Sequence, residues 1–396
     1  MKKFKKKYLD LRLIMIVCII FALRTVGLFM VPPILSMYGI FIQNSNKLLI
    51  GACIGIYSFS QVIFQIPFSY LSDKFSREKV IIFGLILFFI GSIIAASTMS
   101  IWGIFIGRML QGSGAISSAL ITLLLETVKK DNRLAAIVCV GITFSCTFVI
   151  SIILAPIIVN FVGLNNLFWI MAILTIISIA IVIKFIKPMY VKDVTNNTSI
   201  SIINLFRLLK NVFLLELLLN TFSISYLLTS NFFIYPEYLI LMKITKENYW
   251  MFYSTIIFIA CITGVPIIYH IRNYSNIRKF YLLCISFLLL SCIGLLVINN
   301  PKIFLINIQI FIFIYVVMSA LLPTAINEKS PKCYKGSFMS IYNTSQFLGT
   351  FVSSLINGWL LNKYSLDSTI YMNIIIIIFC IIFNIITNFR HKIINK

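Results

Sequence analysis

The chain is poor in charge. Aspartate, glutamate, lysine and arginine make up 11% of its 396 residues, under half the share of roughly 25% usual in soluble domains. Acids are the scarcer sign, eleven against 33 lysines and arginines. Histidine occurs twice, and no His-Glu-x-x-His is present, so the pattern of a helix-borne metal hydrolase is missing. No glycine-rich phosphate loop leads into a lysine, which argues against ATP as an energy source. Of nine cysteines, eight lie in apolar runs and Cys333 in a polar loop, so a secreted disulfide scaffold is excluded. A soluble enzyme and a disordered chain are excluded by the same shortage of polar residues.

What the chain has is length of apolar run. Apolar residues make up 60%, and a membrane-spanning helix takes roughly 20 of them in a row. Runs fall near 13–37, 49–71, 79–98, 101–125, 135–161 and 166–186, then near 211–236, 249–270, 279–298, 303–326, 336–362 and 369–389. The pattern predicts an all-α integral membrane protein with twelve spans. Stretches such as Ile374 to Ile378 do not alternate with polar residues, as strands of a membrane barrel would. The first run ends in Pro32-Pro33 with no small-residue cleavage site and reads as a helix, not a signal peptide. Between the sixth and seventh runs lies a polar stretch with Asp193, Thr195, Asn196, Asn197, Thr198 and Ser199. The organisation expected is a six-helix unit over 1–186, a linker over 187–210 and a second six-helix unit over 211–396.

The basic residues set the expected topology. Counted by side, 26 lie with the termini and linker and 5 opposite, Arg24 and Arg108 being inside spans. That bias places both termini and the linker in the cytoplasm. It also accounts for the net charge of +22 as contact with anionic lipid. No segment offers the contiguous basic face with aromatics that nucleic acid requires; none is expected as a partner.

Two motifs carry more. After the second run comes Ser69-Tyr70-Leu71-Ser72-Asp73-Lys74-Phe75-Ser76-Arg77-Glu78-Lys79, a loop whose charges must pair with each other or with helix ends. In the fourth run stands Arg108-Met109-Leu110-Gln111-Gly112-Ser113-Gly114-Ala115, a buried charge beside small residues that admit close helix approach. The first resembles G-x-L-A-D-R-x-G-R-K and the second R-x-x-Q-G-x-G-A, both signatures of the major facilitator superfamily. Leu71, Asp73, Lys74 and Arg77 match in place, while Ser69 and Ser76 replace glycines and Glu78 replaces a base. In the fifth run Ala155-Pro156 keeps the proline of the efflux branch without its glycines. Stretches from Leu23 to Gly39, Ile54 to Pro67, Leu164 to Trp169 and Tyr342 to Gly349 resemble the YajR group of bacterial inner-membrane drug and proton antiporters. Members of that group carry a small soluble domain after the last helix, and a chain ending at Lys396 is expected to lack it.

The resemblance implies two six-helix bundles about a cavity opened alternately to each side. The implied function is secondary transport of a small solute, as efflux driven by proton antiport. An uptake carrier of the same fold and a relict structural or partner-binding protein are the other readings. Expected partners are the solute, protons and membrane lipid; the expected assembly is a monomer, with no cofactor, metal or catalytic residue. Asp73, Lys74, Arg77 and Glu126 are the gating candidates, Arg77 pairing with Glu126 by resemblance. Arg24, Arg108, Gln111, Gly112, Gly114, Asn220, Ser225, Asn231 and Ser319 are the transport candidates, equally explained as interhelical glue. Arg24 and Arg108 lie well inside their runs, where an arginine costs at least ~2.5–3.5 kcal/mol. No carboxylate is expected at mid-membrane: Glu216 stands about a turn and a half into the seventh run. An echo of Ile56–Gln61 in Ile341–Gln346 implies, by resemblance, that the second and eleventh helices face each other.

Overall fold

The computed structural model describes residues 2–129, 132–186, 212–245, 248–271, 274–297, 301–329 and 335–394. The linker therefore lies outside the described residues, as do Asp131 and Cys333. Among the described residues there is no strand; one isolated bridge ties Gln43 to Ser100. In chain order the helices are α1 (Lys2–Tyr38), α2 (Lys47–Lys74), α3 (Arg77–Ser97), α4 (Ile101–Ser113), α5 (Ser117–Thr127), α6 (Arg133–Val162) and α7 (Leu164–Ile181). After the linker come α8 (Val212–Leu241), α9 (Tyr249–His270), α10 (Tyr274–Val297), α11 (Pro301–Lys329), α12 (Lys335–Lys363) and α13 (Leu366–Ile394). A π-helical turn, Val182–Ile186, extends α7. Among the described residues, eleven spans, with α4 and α5 counted as one, are long and apolar enough to cross a membrane.

Two readings of the runs are corrected. The loop expected over 69–79 is mostly helix: Asp73 and Lys74 end α2, and Arg77 opens α3. The fourth run, expected to be one helix, is broken at Gly114–Ile116. Gly114 has φ −74° and ψ 62°, an inverse γ-turn. Ala115 N–H donates to Ser113 O at 2.9 Å and Ile116 N–H to Gly114 O at 2.8 Å. These i→i+2 bonds stand where i→i+4 bonds would continue the helix.

The chain forms two compact units, one of Met1–Ser45 with Ile56–Ser199 and one of Asn46–Gly55 with Ile200–Lys396. In the first unit α1 packs on α6 and α7, and α3 on α4 and α7. The α3–α4 contact is made by glycine. A Cβ on Gly114 would strike Gly84 O and one on Gly84 the Ile116 side chain, while a Cβ on Gly91 or Gly107 would strike the other's carbonyl oxygen. Both pairs are seven residues apart and run in opposite directions, so the helices cross antiparallel with backbones touching, as small residues permit in lipid. The α6–α7 turn is the single residue Gly163 at φ +84°, a backbone that favours glycine.

The second unit explains why α12 is not among the apolar spans. Ser345 Oγ donates to Leu218 O and Ser353 Oγ to Tyr226 O, each at 2.7 Å. Ser230 Oγ donates to Asn357 Oδ1 at 3.1 Å, and a Cβ on Gly349 would strike Phe222 O. The polar and small stripe Ser345, Gly349, Ser353, Asn357 thus lies in parallel register along α8. An adjacent face of α12, at Ser354 and Gly358, receives Gly51 and Gly55 of α2 backbone to backbone. Lys47 pairs with Glu237 at 2.7 Å in the same unit; both side chains are two-fifths exposed, so the pair contributes ~0–1 kcal/mol.

Candidate functional site

Each unit holds a buried polar cluster. In the first, α2, α3 and α4 bring together four polar side chains and α1 adds a backbone carbonyl. Arg108 is fully buried. Its Nη1 donates to Gln111 Oε1 at 3.0 Å and to Gly27 O at 3.4 Å, and its guanidinium lies 4.3 Å from the Tyr57 ring centroid. Gln111 passes the chain on, donating to Ser92 Oγ at 2.9 Å. Gly112 is where α4 meets α2, since a Cβ there would strike Tyr57 O and crowd Ser60. The arginine and glutamine at i and i+3 share one helix face, which is why the spacing in the motif works.

Arg24 reaches the helix break. It donates to Gly114 O and, at 3.2 Å, to Ser117 Oγ. A break leaves the last carbonyls of α4 and the first N–H groups of α5 without intrahelical partners; Arg24 serves the carbonyl side. Gly114 thus has two functions, the turn itself and the close approach to Gly84.

At the end of this unit where α2 meets α3, Arg77 and Glu126 form a bidentate pair, Nε to Oε2 at 2.7 Å and Nη2 to Oε1 at 2.6 Å. Arg77 Nη1 also donates to Ser72 Oγ at 2.8 Å. Lys74 is exposed, and the side chain of Asp73 lies outside the described ones.

The second cluster was not anticipated. Glu216, expected to be peripheral, is fully buried and pairs with Arg278 Nε at 2.8 Å. Thr387 Oγ1 donates to Glu216 Oε2 at 3.0 Å, and Arg278 Nη2 donates to Asn384 O at 2.9 Å and to Thr387 Oγ1. Asn220, one turn beyond Glu216, exchanges amide hydrogen bonds with Asn384 at 2.8 and 3.2 Å. Ser223 contacts Cys380 at 2.6 Å. Glu216, Asn220 and Ser223 follow i, i+4, i+7, so one face of α8 meets α13, with Arg278 entering from α10. The signal was available: Asn384 and Thr387 are among the few polar residues of a largely apolar run. The other candidates do not join either cluster. Ser225 and Asn231 are buried in α8, and Ser319 is half-buried in α11 with its hydroxyl on Val316 O at 3.0 Å.

Asn220→Ala should cost about 1–2 kcal/mol, the desolvation of an orphaned Asn384 amide adding to the ~0.6 kcal/mol average of an interhelical hydrogen bond. Thermal melting of the purified variant measures it; a loss under ~0.3 kcal/mol would mean that Asn384 finds another partner.

The model of the Major Facilitator Superfamily matches residues 14–354. The chain is 37% identical over 345 residues to the inner membrane transport protein YajR of Escherichia coli strain K12, covering 86% of this chain and 75% of that one. Over 153 residues, 38% of this chain and 37% of the other, it is 26% identical to the class B tetracycline resistance protein of Escherichia coli. A crystal structure of a mutant of the nucleoside transporter NupG superposes with a TM-score of 0.70 at 13% identity, over 95% of this chain and 99% of that one. That last likeness bears on fold alone.

Proposed function

Because the chain belongs to the major facilitator superfamily, a family of multi-pass membrane transporters, we propose that it exports a small solute across a bacterial inner membrane in exchange for protons. The observation that carries the reading is the first-unit cluster: two buried guanidiniums, Arg24 and Arg108, held at bilayer depth by neutral hydrogen-bond partners. Ionisable side chains inside spans are costly and mark solute or ion paths. The direction rests on the tetracycline resistance protein and on the YajR likeness. Proton coupling needs a group whose charge can change inside a span, and Glu216 is the fully buried carboxylate available in α8. Arg278, Tyr281 and Cys380 are the ionisable groups around it. A proton reaching Glu216 would dissolve its ion pair and release α10 and α13 from α8.

The test uses proteoliposomes with an imposed pH gradient and a pH-sensitive dye inside. Solutes from a panel of drugs and metabolites should each dissipate the gradient only if transported, with proton and solute moving in opposite directions. Co-directional movement would make the protein an uptake symporter. Solute movement with an unchanged gradient would remove proton coupling.

A further inference from the structure

Among the described residues, Arg24 has no counter-charge in contact. Its hydrogen bonds go to a backbone carbonyl and a serine hydroxyl, its guanidinium is 6.0 Å from the Phe88 ring centroid, and its Nε–H is buried without an acceptor. Only 4% of the residue is exposed. The helix ends around it do not supply the missing charge. α4 ends and α5 begins at Gly114–Ile116, so about half a negative charge from one terminus sits beside about half a positive charge from the other. The two cancel, and the full charge of Arg24 remains. Arg108, fully buried in α4, adds a second positive charge to the same unit.

The described acids of this unit stand toward helix ends. Asp10 is fourteen residues from Arg24 along α1, about 20 Å at ~1.5 Å per residue, and accepts a hydrogen bond from Asn132. Glu78 stands in the first turn of α3, and Glu126, paired with Arg77, in the last turn of α5.

Unpartnered polar groups stand in the first turn of α5 and on α2. The first helical bond of α5 runs from Leu120 N–H to Ile116 O, which leaves the N–H groups of Ser117, Ser118 and Ala119 at the open end of the helix. Ser118 is 6% exposed and its hydroxyl is buried with no partner. Both amide atoms of Gln65, itself 2% exposed, are buried with no partner. Gln65 lies one turn from Phe68 on the same face of α2, and the Phe68 ring and Ile116 both close on Gly84.

We propose that the break in the fourth span is an anion subsite. It would take the negatively charged group of the solute, a carboxylate-type monoanion, between Arg24 Nε, the first N–H groups of α5 and Ser118 Oγ. With the two terminal half-charges cancelled, what the break offers an anion is the charge of Arg24 and the N–H donors of the first turn of α5. The inference deepens the transport reading and rests on it for the anion being part of a solute.

The experiment needs no known solute. Acetate is a small carboxylate, and acetamide is its neutral isostere. The purified full chain is melted across a titration of each, with ionic strength held by a bulky sulfonate. Acetate should raise the melting temperature along a saturating curve, as a ligand of the folded state does, and acetamide should not. In Arg24→Gln the half-saturating acetate concentration should rise at least ~10-fold, as loss of a charge-assisted hydrogen bond requires. Equal responses to acetate and acetamide, or an Arg24→Gln curve matching the unmodified chain, would overturn the subsite. Should Arg24→Gln fail to fold, Ser118→Ala should raise the half-saturating concentration a few-fold, and an unchanged value would count against the site. The transport reading fails separately, by the absence of solute-linked pH change in proteoliposomes while the acetate response persists.

Discussion

Glu216→Gln should destabilise the second unit by about 3–5 kcal/mol, the range found when one partner of a buried ion pair is removed. The shape of the side chain is nearly kept, so the loss is electrostatic. Arg278, 8% exposed at its side chain, would keep its charge and its hydrogen bonds to Asn384 O and Thr387 Oγ1 while losing the carboxylate. Arg278→Met should cost a similar amount by stranding the carboxylate, which would retain the Thr387 hydroxyl at 3.0 Å. The double change Glu216→Leu with Arg278→Met should cost much less than either single, because replacing both members of a buried pair by apolar groups is often neutral. Melting temperature and the half-life of thermal inactivation in one detergent give the three numbers. Additive single and double effects would show that the two residues do not act as a pair.

That pair shows where sequence reading stopped. The spans were legible because runs of about 20 apolar residues have one explanation in a chain with 11% charge. The first-unit cluster was legible because Arg108 and Gln111 stand one turn apart on one helix. Glu216 and Arg278 are 62 residues apart on different helices, each close enough to a span end to look like an interfacial charge. Nothing local distinguishes such a charge from one folded inward; the distinction comes from which face of α8 meets α10 and α13. The stripe Ser345, Gly349, Ser353, Asn357 was visible as spacing, but its partner was not, and the structure seats it on the backbone of α8. The break at Gly114–Ile116 was hidden for another reason. The sequence there, Ser113-Gly114-Ala115-Ile116-Ser117-Ser118, does carry the glycine and serines of a turn, but inside an apolar run such small residues equally suit close helix packing. The break is stabilised from outside the run, by Arg24 of α1 and by the contact with Gly84.

Gly107→Val and Gly141→Val should separate sharply, although the two substitutions share the same chemistry and the same change in helix propensity. A Cβ at Gly107 would lie 2.6 Å from Gly91 O, 2.8 Å from Ala95 Cβ and 2.9 Å from Ala95 N. Two of these obstacles are backbone atoms of α3, which no rotamer change can move. Nor can the helices part cheaply, because Gly84 and Gly114 fix the same crossing one heptad away, at the helix break. Overpacking of this kind costs typically ~1–3 kcal/mol and occasionally more, and with backbone on the receiving side the upper end is expected. A Cβ at Gly141, in the middle of α6, meets nothing within 4 Å, so valine there should stay within ~0.5 kcal/mol of the unmodified chain in melting experiments. Gly107→Ala should fall between them, since it carries the clashing Cβ without the two methyl groups. Because α4 also carries Arg108 and Gln111, a displaced crossing should disturb them too: Gly107→Val should lower transport by more than its melting temperature accounts for, whereas Gly141→Val should leave transport unchanged. Equal stability of the two valine variants would mean that α3 and α4 do not meet backbone to backbone at Gly91 and Gly107.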